Sequence, residues 1–348
     1  FYRYGGLRED GSRRPRSPAQ DRFAHEDVDR YLDLLPRLKP HTDPAHGSRV
    51  GFAAHSLRAV APEELKHLVS TVLSADPTTP IHIHVAEQRA EVEQVEKALG
   101  ARPIAWLLEN FKPDFRWCMV HATHMVPSEV SGLAHSGAVA GLCPTTEADL
   151  GDGVFPAAEF LRRGGGFGVG TDSNVRSDAA EELRLLEWGQ RLTHQQRNVL
   201  AQPAVPMGSS RKVDPELFHT GRRLLQGAVQ GGSRALGLQR SGLPAVGRRA
   251  DVIVLAREHP RIVGRSFDDA VDAWVMGGDR SCIRDVLVRG VHVIRNRRHS
   301  SADQIYERFR EVMLRLGRRE RPGIPSPPQV ALAQGKPSQG LQTQTGRT

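Results

Sequence analysis

Short apolar runs alternate with amphipathic stretches along most of the chain from about residue 49 onward. The apolar runs are RVGFAAHS, IHIHVAEQ, WCMVHATH, AVAGLCPT and FGVGTDSN. Each is followed by at least one stretch with apolar residues at helical spacing, such as PEELKHLVSTVLSA after the first run. This alternation predicts five parallel strands joined by helices. FYRY at the start is a candidate for the end of a sixth strand.

The rhythm changes in the last third of the chain. A helix is predicted for about residues 216–237, followed by short strands without crossover helices in ADVIVLA and RDVLVRGVHVIRNRRH, with a turn near Gly290. A last helix is predicted for about residues 302–316. We therefore predict a partial (β/α) barrel that carries the hydrolase site (1–238), a small β-domain remnant (239–300), a C-terminal helix (301–317) and a disordered tail (318–348).

Composition separates the two ends of the chain from its middle. The start (REDGSRRPRSPAQDR) and the Pro- and Gln-rich tail lack the apolar residues for a core, so we expect both to be mobile. The formal net charge of +8 comes from arginines that cluster at these ends and in RNRRH. With only 5% aromatic residues, this pattern favours a solvated surface over a nucleic-acid partner.

The three cysteines lie far apart in apolar runs. We interpret Cys118, Cys143 and Cys282 as small core residues of a cytoplasmic protein rather than disulfide partners. No apolar run approaches the roughly 18 residues that span a bilayer, so we expect no membrane contact.

Histidines and carboxylates stand where the predicted strands end. In a (β/α) barrel, the carboxyl ends of the strands meet at the active-site mouth. Imidazole and carboxylate ligands there are typical of a hydrolytic zinc site, in which the metal lowers the pKa of water to about 7. The residues concerned are His55, His84, Glu87, His121, His124, the segment CPTTE (143–147) and Asp172.

Each of these residues alone has a structural alternative. A single strand histidine such as His84 is usually hydrogen-bonded in the fold, and Asp172 is also a candidate cap for the next helix. His82 points to the same face as His84 but lies two residues deeper, which indicates a supporting or packing role. His124 lies past its strand and is predicted to be a loop residue.

The motifs HVAE, VHATH and GTDSN, each closing a strand, resemble the amidohydrolase superfamily in the branch of the cytosine and guanine deaminases. The longer stretches AAHSLRAV, LCPTTEADLGDGVFPA and GTDSNVRSDAAEELRLLEWGQRLTHQQRNVLA are similar to the formimidoylglutamate deiminases of histidine degradation. The resemblance implies a (β/α)8 TIM-type barrel that lacks its first strands, plus a small β-domain. It implies hydrolysis of N-formimidoyl-L-glutamate to N-formyl-L-glutamate and ammonia.

Carried over residue by residue, the resemblance implies that His84 and Asp172 bind Zn²⁺. It also implies that Glu87 transfers a proton to the leaving nitrogen and that Asp172 takes a proton from the attacking water. On the same resemblance, His121 is expected to orient the attacked carbon and to stabilise the charge that develops there.

A substrate with two carboxylates requires a fixed cation, preferably a guanidinium that can bind both oxygens of a carboxylate. Arg58 is the candidate, together with His55 in the H-x-x-R of AAHSLR. The alternative is that Arg58 only covers the surface of the following helix.

The sequence also departs from the superfamily pattern. No His-x-His pair precedes residue 49, and only five or six of eight barrel strands can be counted. We therefore expect an N-terminally truncated copy or fragment that is inactive alone. Imidazole and carboxylate ligands also accept Fe²⁺, Co²⁺ or Mn²⁺, so these ions are alternatives to Zn²⁺.

Two other functions remain open. One is a related deaminase or chlorohydrolase that acts on guanine, cytosine or a triazine, although a ring substrate needs apolar walls that these loops do not offer. The other is a catalytically dead barrel that binds an anion through Arg58. The oligomeric state is also open, with a homodimer as one candidate.

Overall fold

The computed structural model of the protein describes residues 1–8, 10–42, 48–201, 219–238 and 242–320. The chain divides into two compact units, Phe1–Arg298 and His299–Thr348. The strands are β1 (Gly6–Leu7), β2 (Arg13–Arg14), β3 (Phe52–Ala54), β4 (Ile81–Val85), β5 (Trp117–His121), β6 (Val139–Leu142), β7 (Gly166–Val169), β8 (Val252–Leu255), β9 (Ile283–Val288), β10 (Val291–Arg295) and β11 (Arg298–His299).

Helices join most of these strands. They are α1 (Pro18–Asp21), α2 (Val28–Leu32), α3 (Leu34–Leu38), α4 (Pro62–Ala75), α5 (Arg89–Leu99), α6 (Pro103–Phe111), α7 (Pro127–Ser136), α8 (Pro144–Leu150), α9 (Ala157–Arg162), α10 (Ala179–His194), α11 (Thr220–Ala235), α12 (Phe267–Gly277) and α13 (Ala302–Glu320), with 3-10 turns at Lys39–His41 and Arg280–Cys282. Among the residues that the structure describes, no helix is long and apolar enough to cross a membrane.

Strands β3 to β7 form one parallel sheet in the order in which they occur in the chain. At least one helix lies between each strand and the next. This is the arrangement of a sector of a (β/α) barrel, and it confirms the predicted fold class.

Alternation along the strands separates two faces of this sheet. In β4, Ile81, Ile83 and Val85 are buried, whereas His82 and His84 are half-buried. The apolar face packs against helices α4 to α6, whose buried residues include Leu68. Burial of each such side chain contributes about 1.5–3 kcal/mol to the free energy of folding. The histidines therefore lie on the face that a closed barrel would turn inward.

Helix α11 approaches the backbone of β7 very closely. A Cβ added at Gly231 would lie 1.8 Å from the carbonyl oxygen of Phe167, and one added at Gly168 would lie 3.0 Å from Gly232. The end of the helix reaches the histidine face, because His82 Nε2 lies 2.8 Å from the carbonyl oxygen of Ala235. Glycine is therefore required for this packing, and His82 has the packing role predicted for it.

The start of the chain is ordered against the sheet, so the prediction of a mobile start is wrong for its described residues. Strands β1 and β2 pair as an antiparallel ribbon, and Leu7 is buried. The Arg13 guanidinium donates to the carbonyl oxygens of Leu57 (2.6 Å) and Arg58 (2.9 Å). These tertiary hydrogen bonds hold a stretch that has too few apolar residues for a core of its own.

The first residue partly supports the candidate sixth strand. Residues 1–4 have no strand assignment, yet the amino group of Phe1 donates to Ala53 and the carbonyl of Phe1 accepts from His55 N–H at 2.9 Å. This pair of bonds is what the last residue of a parallel neighbour of β3 would make.

The small sheet contains β8, β9 and β10, all antiparallel, with the predicted turn at Gly290. The expectation of no intervening helix is wrong, since α12 lies between β8 and β9. Ser266 precedes this helix, and Trp274 and Val275 are buried on one side of it. The helix packs on α10 and α11, so its apolar side is buried against the barrel part of the chain.

The second unit contains the C-terminal helix α13, which extends a few residues beyond the predicted end at 317. The predicted disordered tail lies outside the described residues from 321 onward. The domain boundaries proposed from the sequence stay predictions.

Candidate active site

The strand ends bring most of the predicted site residues to one edge of the parallel sheet. His55 follows β3, and His84 lies in β4. Glu87 follows β4, and His121 ends β5. Asp172 comes three residues after β7.

His84 is held in one tautomer by the neighbouring loop. Its backbone N–H donates to the His55 carbonyl at 3.0 Å, and its Nδ1 lies 2.8 Å from the same oxygen. Because a carbonyl oxygen only accepts, the neutral form of the ring carries its proton on Nδ1 and its lone pair on Nε2. Metal-binding histidines are commonly oriented in this way.

His55 is a neutral imidazole beside His84. The two ring centroids lie 5.1 Å apart, and the ring centroid of Tyr2 lies 4.7 Å from that of His55. Burial, reinforced by the charges of His84 and Arg58, lowers the pKa of His55 to about 4. At neutral pH, His55 can therefore accept or donate a hydrogen bond without adding charge to the site.

His121 reaches the same place although strand alternation would put it on the other face. In the sheet register His121 is opposite the buried Val85 rather than His84. A left-handed φ of +70° at His121 ends the regular alternation. Its ring stacks on that of His84, with centroids 5.6 Å apart.

Carboxylates flank both nitrogens of His121. Nδ1 lies 3.4 Å from Glu147 Oε1, and Nε2, which is buried, lies 3.8 Å from Glu87 Oε1. Burial opposes a charged ring, but the hydrogen bond to Glu147 and the charges of Glu87, Glu147 and Asp172 outweigh it and raise the pKa of His121. The surroundings thus favour the protonated ring, which can stabilise negative charge that develops beside it.

The CPTTE segment connects several of these groups. Glu147 is buried and also accepts from the Cys143 N–H at 3.2 Å. The hydroxyl of Thr146 lies 3.0 Å from the Thr171 carbonyl and 2.8 Å from the Ser173 hydroxyl, so it holds the loop on both sides of Asp172.

The other threonine of this segment anchors helix α8 to helix α10. Thr145 donates its N–H and its hydroxyl to the buried Glu182, at 3.0 and 2.5 Å. Burial raises the pKa of Glu182 although these two bonds oppose the shift.

Arg58 lies between two carboxylates. Its Nη2 is 3.6 Å from Glu87 Oε2 and 3.8 Å from Glu91 Oε2. Glu91 is completely buried and accepts the N–H groups of Ala86 and Glu87. Burial raises the pKa of Glu91, against the opposing effect of Arg58 and the two N–H bonds.

Asp172 differs from the other site residues because it is exposed, with a left-handed φ of +46°. The alternative that it caps the next helix is wrong. Helix α10 is capped by Asp178, whose side chain accepts from the Ala180 N–H at 2.9 Å and the Glu181 N–H at 3.4 Å.

The remaining sequence candidates are structural. His124 lies in a loop, where its Nε2 is 2.7 Å from the Asp152 carbonyl. The three cysteines are buried and free, as predicted. Burial raises the pKa of the Cys118 thiol to about 12 and also raises that of Cys143. These thiols are unsuited to metal binding or nucleophilic chemistry.

The donor set for a metal is partial. The neutral form of His84 presents the Nε2 lone pair that a metal site requires, and His121 Nε2 is buried without a hydrogen-bond partner. Within the described ranges, however, no three His, Cys, Asp or Glu side chains are placed to hold an ion together. The ligand pair His84 and Asp172 therefore stays a prediction.

A cavity of about 1060 Å³ opens elsewhere, near the amino-terminal ends of β3 and β4. Val50, Gly51 and Thr79 line it, and none of the predicted site residues does. It lies at the opposite end of the strands from the imidazoles, so it takes no part in chemistry at the carboxyl edge of the sheet.

A parallel sheet with imidazoles and carboxylates at its carboxyl edge is the arrangement of a (β/α)-barrel enzyme, whose active site lies at the strand ends. Residues 22–293 match the sequence pattern of the family described as "Amidohydrolase family". The chain therefore belongs to the amidohydrolase family.

Three relatives add detail. The chain is 44% identical over 301 residues to the formimidoylglutamate deiminase of Pseudomonas aeruginosa, and the match covers 86% of this chain and 62% of that protein. The crystal structure of an amidohydrolase from Brucella melitensis has a TM-score of 0.78 and 39% identity, and the match covers 91% of this chain and 65% of that one. A zinc-bound adenosine deaminase from Xanthomonas campestris, with a TM-score of 0.69 and 22% identity over 84% of this chain and 62% of that one, shares the fold. The chain thus spans less than two thirds of each relative.

Sequence reasoning did not assign roles to Glu91, Glu147 or Arg13. Glu91 stands at the third residue of a helix, where a carboxylate often reaches back to preceding N–H groups. That position was a usable signal. The contacts of Glu147 and Arg13 join residues that lie 26 and 44 positions apart in the chain, so no local sequence signal indicates them.

Proposed function

We propose that the protein carrying this chain hydrolyses N-formimidoyl-L-glutamate to N-formyl-L-glutamate and ammonia. The observation that carries this proposal is the 44% identity to a formimidoylglutamate deiminase over 86% of the chain. The 39% identity to an amidohydrolase of known structure supports the same family of reactions.

The site is suited to a dianionic substrate. Arg58 keeps a partly exposed guanidinium near the strand ends, and its contacts with Glu87 and Glu91 are longer than hydrogen bonds. Its N–H groups can therefore turn to a substrate carboxylate. The neutral His55 beside it adds a hydrogen bond without charge.

The reaction adds water to the formimidoyl carbon and breaks the bond to the terminal nitrogen. Glu87 delivers the proton that this nitrogen needs in order to leave as ammonia. His121, held between Glu147 and Glu87, stabilises the negative charge that develops on the attacked carbon's oxygen. The C–N bond to glutamate remains, and the carbon retains the oxygen of water.

We propose a divalent metal, Zn²⁺, as cofactor, with His84 and Asp172 among its ligands. When bound, such an ion lowers the pKa of water to about 7 and so supplies the nucleophile at neutral pH. Iron, cobalt and manganese are alternatives that imidazole and carboxylate ligands also accept. We further propose a cytoplasmic location, small-molecule substrates and neither a nucleic-acid nor a membrane partner, with a homodimer as the candidate assembly.

The test is an assay of ammonia release by the full-length gene product, supplied with Zn²⁺, on N-formimidoyl-L-glutamate, guanine and adenosine. We expect turnover of the first substrate and loss of this turnover after chelation of the metal. Turnover of a ring substrate alone would identify the related deaminase instead. Binding of the substrate without ammonia release would identify a catalytically dead anion-binding barrel.

A further inference from the structure

The buried Glu91 joins two residues of the proposed reaction. Its Oε1 accepts the Ala86 N–H at 3.1 Å, and its Oε2 accepts the Glu87 N–H at 2.9 Å. The second oxygen also lies 3.8 Å from Arg58 Nη2. Glu91 itself is completely buried, so it cannot act as a surface charge.

The segment that Glu91 holds has an unfavourable backbone. Ala86 has a left-handed φ of +51°, which a residue with a Cβ adopts only at a cost. The N–H groups of Ala86 and Glu87 precede the helix, whose N-cap is Gln88. The two oxygens of Glu91, on the first turn of α5, satisfy both groups, and the helix N-terminus favours the negative charge.

Glu87 and Arg58 also lie close to each other. Glu87 Oε2 lies 3.6 Å from the same Arg58 nitrogen that approaches Glu91. Glu91 thus holds Glu87 through its backbone and Arg58 through charge. A misplacement of about 1 Å in such a pair can reduce a rate by about 10²-fold.

We propose that Glu91 is a positioning residue that fixes the proton-transferring Glu87 and the substrate-binding Arg58 relative to each other. This proposal rests on the function proposed above. Glu91 does not touch the substrate and acts only through these two residues.

The test is the Glu91→Gln variant of the full-length gene product, with Glu93→Gln as its matched control. Glu93 is an exposed residue of the same helix. A glutamine keeps the size of the side chain, but its NH₂ group cannot accept the second N–H. We expect kcat to fall about 10- to 100-fold and KM to rise, both after normalisation to folded protein, whereas Glu93→Gln retains both.

A second measurement does not depend on activity. Amide hydrogen exchange of the segment 85–88 should be faster in Glu91→Gln than in the wild type and unchanged in Glu93→Gln. If Glu91→Gln does not fold, Glu91→Asp, which keeps the charge on a shorter side chain, should show the same exchange and the same fall in kcat.

Unchanged exchange would overturn the proposal. Faster exchange with wild-type kcat and KM would overturn it as well, because Glu91 would then be only structural. If the wild type releases no ammonia from N-formimidoyl-L-glutamate, the proposed function fails, and the exchange rates alone decide whether Glu91 holds the turn.

Discussion

The ends of β4 and β5 differ from the end of β7 in how their site residues are held. His84 is fixed by the His55 carbonyl, Glu87 by Glu91, and His121 by Glu147. Asp172 is exposed, and only the residues on either side of it are tied down.

The comparison shows that Glu87 and His121 are held by the buried carboxylates Glu91 and Glu147, whereas Asp172 lies in an exposed loop. A hydrogen bond to a buried carboxylate fixes the geometry of its partner, because the low dielectric makes the loss of that bond costly. The strand ends of β4 and β5 are therefore expected to be more sensitive to small polar changes than the loop after β7.

Replacement of Glu87 by Gln in the full-length gene product should have the largest effect. It removes the proposed proton donor without changing its size, so kcat for N-formimidoyl-L-glutamate should fall about 10²- to 10⁴-fold. Steady-state kinetics measures the change, and retention of wild-type kcat would remove Glu87 from the mechanism.

Replacement of Glu147 by Gln should have an intermediate effect. The variant keeps the shape of the side chain but removes the charge beside His121 Nδ1, and loss of such an orienting partner typically costs about 10–100-fold. Ammonia release is compared with that of Asp149→Asn, an exposed position on the same helix. Equal activity of the two variants would show that Glu147 does not serve His121.

The smallest expected changes compare Thr145 and Thr146, measured by urea denaturation. Thr145→Val removes the hydroxyl donor of the buried Glu182 and leaves it only the backbone N–H, so it should destabilise the fold by about 1–3 kcal/mol. Thr146→Val should cost about 0.5–1.5 kcal/mol, because its partners lie at an exposed loop. The reverse order would mean that the loop of Asp172 is as tightly built as the other strand ends.

Much of this architecture could be predicted from local pattern. The period-two burial in IHIHV and the helical spacing after it are local properties, and they give the strand, its face and the place of His84 and Glu87. The helix α12 was not predicted, although the serine at its N-cap position and the carboxylates Asp268 and Asp269 in its first turn are local signals.

The contacts that hold the site could not be predicted in this way. His121 faces His84 only because its backbone adopts a left-handed φ, against the alternation of its strand. Arg13 reaches the Arg58 loop across 45 residues of chain. Such features depend on the packed tertiary structure, which no periodicity records.

The approach of α11 to β7 has a consequence for mutational tolerance. Alanine usually stabilises a helix relative to glycine by about 1 kcal/mol, and Gly232 offers open space for the added methyl group. At its neighbour Gly231 the same methyl group would collide with the backbone of Phe167. Two adjacent glycines with the same helix propensity thus differ in the substitutions that they tolerate: Gly232 has room for a side chain, whereas Gly231 is fixed by a strand that lies far away in the sequence.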